Sequence, residues 1–160
     1  MAEIVDLFVP DEFQVPVELT HDRFRLVPLE PEHNSGDYAA WTSSISHIRS
    51  TPGFEGYGWP TSMTLEENLR DLRQHAEDFR RRVGFTYSVM VDDAIVGCVY
   101  IYPRPEPGSA VVRSWVTGDH AELDGPLYDA VWQWLDKRWP FASVDYAPRK
   151  CEPASHGGAA

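Results

Sequence analysis

The chain has 160 residues, with 25 acidic side chains against 14 Lys and Arg, a formal net charge of −11. That length suits one domain with its own core, and that charge argues against general nucleic-acid or anionic-membrane binding. No apolar run approaches the roughly 18 residues of a membrane span, and the acidic start Met1–Asp6 lacks the basic opening of a signal peptide. The two cysteines, Cys98 in an apolar run and Cys151 in a polar stretch, do not make a disulfide framework and point to a reducing, cytoplasmic compartment. The six histidines are scattered singly, so no pair has zinc spacing and no metal is expected.

Residues 1–16 read as an N-terminal arm bracketed by Pro10 and Pro16, with Leu7, Phe8 and Phe13 available to dock it. Residues 17–29 read as two short extended pieces around a turn at Thr20–Asp22, with Phe24, Leu26 and Leu29 as apolar positions. At Asn34, a capping residue type, the period changes. Tyr38, Trp41, Ile45 and Ile48 follow at spacings of 3, 4 and 3, which predicts one helix ended by Pro52-Gly53. Residues 50–63 contain three glycines and two prolines and form a long loop. Phe54, Tyr57 and Trp59 within it either line a pocket or tie the loop to the core.

Thr64 and Glu67 make a capping box. Leu65, Leu69, Leu72, Ala76, Phe79 and Val83 then give a helical stripe, closed by Arg80, Arg81 and Arg82. Phe85, Tyr87, Val89 and Val91 alternate with Thr86, Ser88 and Met90 as a strand. Residues 95–102 are apolar on both faces, as a central strand is, and 109–117 form a third strand. The short connections make these an antiparallel meander. A helix is expected over 121–138, with Leu123, Leu127, Val131, Trp134 and Leu135 on its buried side and Pro140 as its stop. Residues 142–146 form a final short strand, and 148–160 form a small, polar tail expected to be disordered. The domain proper is 17–147.

The result is an α+β chain in the order β-α-α-β-β-β-α-β. That order, together with the Thr20–Leu29 run, the two helices and their aromatic loop, the hairpin YSVMVDDAIVGCVYIYP and the strand SAVVRSWVT leading into a helix, resembles the GNAT acyltransferase superfamily. The resemblance covers about residues 17–147. It implies a mixed, mostly antiparallel sheet flanked by helices, with a V-shaped opening between the SAVVRSWVT strand and the final strand. It further implies acetyl-CoA as acyl donor and a small-molecule amine as acceptor. Cofactor contacts would fall on Trp115, Val116 and Thr117 along the strand and on His120, Leu123 and Gly125 at the following helix start, where unpaired N–H groups suit a pyrophosphate. The family writes that stretch as Gln or Arg, two residues, Gly, one residue, Gly or Ala. Here it is His120-Ala121-Glu122-Leu123-Asp124-Gly125, with Leu123 in place of the middle glycine and Asp119, Glu122 and Asp124 crowded around it. The family also continues past the last strand with a helix and two more strands. Residues 147–160 are too few for these, so a homodimer covering that sheet edge is expected.

Acyl transfer to an amine requires loss of an amine proton, stabilisation of an oxyanion and departure of a thiolate. Backbone N–H groups near Val116 and Thr117 are the oxyanion candidates; His120, Tyr100 and Tyr102 are the candidate proton carriers. Phe54, Tyr57 and Trp59 are the substrate-binding candidates. Two readings stay open: an acetyl-CoA-dependent N-acetyltransferase with an atypical cofactor site, and a catalytically inactive GNAT-like module that binds a small ligand or protein partner.

Overall fold

Short hairpins and side chains that are apolar on both faces place the Phe85–Val116 meander at the centre of the sheet. The computed structural model describes residues 7–149. Its strands are β1 (Leu19–Thr20), β2 (Arg25–Pro28), β3 (Phe85–Val91), β4 (Ala94–Pro103), β5 (Ser109–Val116) and β6 (Ser143–Tyr146). They lie in sequence order in one six-stranded sheet. Every neighbouring pair is antiparallel except β5 and β6. That parallel step needs a crossover, which the helix α4 (Asp124–Arg138) supplies. The fold class is therefore the α+β, mostly antiparallel one expected.

The strand period of two sorts the core into two layers. Phe85, Tyr87 and Val89 of β3, Val99 and Ile101 of β4 and Val112 and Val116 of β5 pack on one face with Leu127, Val131, Trp134 and Leu135 of α4. Cys98 and Trp115 pack on the other face with Trp41, Ile48, Phe54 and Leu72. This second face is covered by α1 (Asn34–Thr42), α2 (Ile45–Arg49) and α3 (Leu65–Arg80). The N-terminal arm joins the first layer. Val9 is buried, Phe8 stacks on Phe85 and Phe141, and Tyr87 Oη donates to Pro16 O (2.6 Å). Leu7 stays exposed.

Several local expectations are corrected. The single helix from Asn34 to Ile48 is two helices, broken at Ser43 and Ser44. The hydroxyls there compete with the backbone ladder: Thr42 Oγ1 donates to Tyr38 O (2.6 Å) and Ser43 Oγ to Ala40 O (2.8 Å). Asn34 does not cap; its amide donates to Leu65 O (3.1 Å) and its carbonyl accepts from Asn68 Nδ2 (2.9 Å), tying α1 to α3. The capping box of α3 forms as read, with Glu67 N donating to Thr64 Oγ1 and Thr64 N to Glu67 Oε1. Its apolar stripe is buried only in the middle, because Leu65 and Val83 are exposed and Arg82 turns the chain at φ 63°. The helix expected from 121 begins at Asp124, preceded by a 3-10 segment over Gly118–Leu123. Pro148 and Arg149, assigned to the tail, are part of the folded body; the rest of that tail, with Cys151, lies outside the described residues.

Gly97 of β4 lies against the Trp115 carbonyl of β5. A Cβ there would lie 2.2 Å from Trp115 O, a backbone atom that cannot swing aside. Gly97→Ala is expected to cost about 1–3 kcal/mol by overpacking, read as a lowered Tm in thermal denaturation; an unchanged Tm would show that the strands separate freely.

Candidate functional site

The side chains of β4 and β5 that face α1–α3 form the floor of a cavity of about 500 Å3. Tyr100 and Tyr102 come from β4 and Val111 and Arg113 from β5; Phe54, Tyr57 and Trp59 come from the loop, and Asp71, His75 and Asp78 from α3. The structure therefore brings five of the sequence-selected residues together in one place. Phe54 is buried and Trp59 half-buried, in ring contact with each other and with Tyr100 and Trp115 respectively, while Tyr57 is 52% exposed at the rim. The loop thus both docks and lines a cavity.

The polar lining was not picked out from the sequence. Asn68, Asp71, His75 and Asp78 recur on α3 at spacings of 3, 4 and 3, a polar stripe running beside the apolar one. That pattern was the available signal. Tyr102 Oη donates to Asp78 Oδ2 (2.9 Å), and Gln74 Nε2 donates to Asp78 Oδ1 (2.8 Å). Because the single hydroxyl proton of Tyr102 is committed to the carboxylate, the contact between Tyr102 Oη and His75 Nδ1 (2.9 Å) has the ring N–H as donor. Nε2 then carries the lone pair, and it meets no partner among the described residues. Burial holds His75 below the ordinary imidazole value, so it is neutral near pH 7. Burial raises Tyr100 and Tyr102 above the ordinary phenol range, so both stay protonated.

Asp37 of α1 closes the far end of the cavity. It is buried, and its carboxylate accepts from Asn68 Nδ2 (3.0 Å) and from the Cys98 thiol (3.4 Å). Burial raises its pKa, since one amide and one weak thiol donor do not replace water. Cys98 is likewise pushed up by burial and is not a thiolate nucleophile. Arg113, the cavity's one cation, donates from Nε to Gly53 O (2.9 Å) and lays its guanidinium over the Tyr57 ring at 4.0 Å. Two opposite unit charges about 6 Å apart attract by about 2.8 kcal/mol at an effective dielectric near 20. Three carboxyls against one guanidinium therefore favour a cationic occupant.

The second expected site, the opening between β5 and β6, differs from expectation. Pairing of the two strands ends at Val112–Tyr146, so β5 beyond Val112 is unpaired on that side. Thr117 N donates to Val96 O (2.9 Å), which removes it as an oxyanion donor. The same alternation turns the Val116 N–H to the opposite, open edge. Trp115 belongs to the other face, where Nε1 donates to Tyr100 Oη (2.9 Å). Leu123 packs into the core beside α4. His120 does not line the cavity; its Nδ1 contacts Thr117 Oγ1 (3.0 Å). Gly125 faces open space, with no atom within 4 Å of an added Cβ. Asp119 and Glu122 are exposed.

The third carboxylate of that turn, Asp124, accepts from Arg149 Nε (2.7 Å). Arg149 is buried, and all its nitrogens are engaged. Nη1 donates to Ala147 O (2.9 Å) and Pro52 O (3.3 Å), and Nη2 to Ser114 O (2.8 Å) and Ser114 Oγ (3.0 Å). Tyr146 Oη meets the same Ser114 hydroxyl at 2.5 Å. The edge of β5 is thus open at Val116 and occupied at Ser114. Among the described residues no group of His, Cys, Asp and Glu forms a metal site, and no helix is long and apolar enough to cross a membrane.

No protein-family model matches the chain, and no curated protein matches it in sequence. Solved structures do match its fold. RimL, the ribosomal L7/L12 alpha-N-protein acetyltransferase, in an apo crystal form, superposes with a TM-score of 0.64 at 16% identity, covering 90% of this chain and 76% of that one. The ribosomal-protein-S5-alanine acetyltransferase from Vibrio fischeri gives 0.67 at 14% identity, over 88% and 79%. The microcin C7 self immunity acetyltransferase MccE, in complex with acetyl-CoA and AMP, gives 0.62 at 11% identity, over 87% and 77%. The chain has the fold of the GNAT acetyltransferases, as the sequence resemblance implied.

Removing the buried Arg149 guanidinium leaves the half-buried Asp124 without its ion-pair partner, and Asp124 Oδ1 already has none among the described residues. Arg149→Met is expected to cost about 3–5 kcal/mol, a fall in Tm of roughly 10 °C, with part recovered in the Arg149→Met/Asp124→Leu double variant. An unchanged Tm in the single variant would mean that the clamp adds nothing.

Proposed function

We propose that the protein transfers an acetyl group from acetyl-CoA to the primary amine of a small molecule held in the cavity between β4, β5 and α3. The observation that carries this reading is the placement of an acid- and aromatic-lined cavity on β4 and β5 of a fold shared with acetyltransferases, one of them, MccE, solved with acetyl-CoA. Acetyl-CoA supplies an activated acyl carbon. The remaining work falls to this chain's own side chains and backbone.

Asp37, Asp71 and Asp78 draw the amine in as its ammonium. His75 then takes the proton at Nε2, with its ring held by Tyr102, which is itself anchored on Asp78. Tyr100, supported by Trp115, forms the aromatic floor beneath the acceptor. The Val116 N–H, on the open edge of β5, lies outside the cavity lining and is left to coenzyme A. Coenzyme A contacts are assigned to the open edge at Val116 and to the surface at Gly125, with the exposed Asp119 and Glu122 turned to solvent.

Two further features belong to this reading. We place the protein in the cytoplasm, in keeping with the free thiol of the buried Cys98. We also assign it as a homodimer formed across β6, the last strand of the sheet among the described residues. Sedimentation at micromolar concentration should then give about twice 18.2 kDa; a single monomeric species would remove the dimer.

The activity is tested by following free thiol release from acetyl-CoA in the presence of primary amines. His75→Gln should lower kcat by about 10²–10⁴-fold. Because the histidine must be neutral and burial lowers its pKa, the wild-type rate should fall only below the ordinary imidazole value of about 6.5, and the variant should lack that acid limb. Gly125→Trp enters open space, so it should spare folding and weaken acetyl-CoA binding. One observation favours the alternative of a catalytically silent ligand-binding module: Arg149 occupies the Ser114 carbonyl. Absence of both turnover and acetyl-CoA binding would decide for that alternative.

A further inference from the structure

We infer that the cavity selects a primary ammonium carried on an apolar, ring-sized body, and that it rejects both anions and fully polar polyamines. This inference rests on reading the cavity as the acceptor site. Three features of the cavity carry it.

The first is charge placement. Asp37 lies buried at one end with only an amide and a thiol as donors, so its negative charge is incompletely satisfied. Asp71 is exposed on α3 and near enough to act electrostatically on both Asp37 and His75. The opposing cation, Arg113, is turned onto the Gly53 carbonyl and the Tyr57 ring. A carboxylate ligand would meet three acids against this single guanidinium, whose Nε is already spent on Gly53 O.

The second feature is the wall between the charged positions. Leu29, Leu72, Phe54, Trp59 and Tyr100 are apolar or ring surfaces. Such a wall rewards a ligand body that sheds water and penalises a chain that needs hydration along its length. Ring faces also attract cations directly, as the guanidinium over Tyr57 already shows within this chain.

The third feature is size. About 500 Å3 is within the range of cavities that enclose a small organic molecule, and it exceeds what a bare ammonium or a metal ion would need.

Calorimetry without any acyl donor tests the inference on the intact chain with four probes: phenethylamine, phenethyl alcohol, 3-phenylpropionate and putrescine. Phenethylamine should bind at least tenfold more tightly than the alcohol or putrescine, and 3-phenylpropionate should not bind. Asp71→Asn, an isosteric change at an exposed position, should weaken phenethylamine three- to tenfold and leave the alcohol unchanged, with an unshifted Tm as the control for folding. Equal binding of 3-phenylpropionate, tightest binding of putrescine, or no binding of any probe would overturn the inference. The two readings fail separately. Phenethylamine binding with no acetyl transfer sinks the activity and keeps the ligand class, whereas acetyl transfer to putrescine but not to phenethylamine does the reverse.

Discussion

The central strands β3 and β4 are covered on both faces, and that one constraint organises the site. A polar side chain on the helix-facing side of these strands loses most of its water and must find a partner. Thr86 is met by His75 at 3.2 Å and Ser88 by His33 at 2.9 Å. Cys98 is met by Asp37, and Tyr102 by His75 and Asp78. Each partner comes from α1, α3 or the turn before α1. Satisfying the sheet therefore sets the histidine and the carboxyls into the cavity wall. An unsatisfied buried polar group costs about 1–3 kcal/mol, so these contacts hold the cavity side chains in place as firmly as they hold the fold.

Asn68 shows the same economy on the helices. Its amide nitrogen donates to Asn34 and Asp37, and its oxygen accepts from the Trp41 indole at 3.0 Å. One buried residue thus joins α1 to α3 and fixes Asp37 at the cavity end. On the opposite side of β5, Arg149 does comparable work. It binds the loop at Pro52, the strand at Ser114, α4 through Asp124 and the end of β6 at Ala147. The loop that carries Phe54, Tyr57 and Trp59 is thereby anchored near its start by the same guanidinium that closes part of the β5 edge. The start of the cavity loop and the β5 edge are thus held by one residue.

Much of the fold was legible because it rests on local rules. The two-residue alternation of Phe85–Val91, the double-faced apolar run 95–102 and the Thr64–Glu67 capping box each dictate structure over a few residues, and each formed. The break at Ser43–Ser44 was missed because an apolar stripe continues across it, while the hydroxyls that interrupt the ladder carry no periodic signal. The α4 start was misplaced because Gly118–Leu123 keeps helix-like spacing yet winds as 3-10, placing Leu123 in the core. Phe54, Tyr57 and Trp59 were picked out as aromatics on a Gly/Pro loop, and Tyr100 and Tyr102 as neighbours on one strand face. The polar stripe of α3 is not legible as a cavity wall, since charged residues on a helix face ordinarily meet solvent.

The amino-acid sequence alone determined the order of strands and main helices apart from the break at Ser43–Ser44, the antiparallel meander, the excess of negative charge and the aromatic content of the long loop. These follow from periodicity and composition, which act between near neighbours. Tertiary structure decided which acids face inward, which nitrogen of His75 carries the lone pair, which backbone N–H groups of β5 remain open, and that Arg149 lies between strands. Those outcomes depend on pairing residues 11 to 97 positions apart. Such contacts are selected by packing and hydrogen-bond satisfaction, for which the linear chain has no repeat to read.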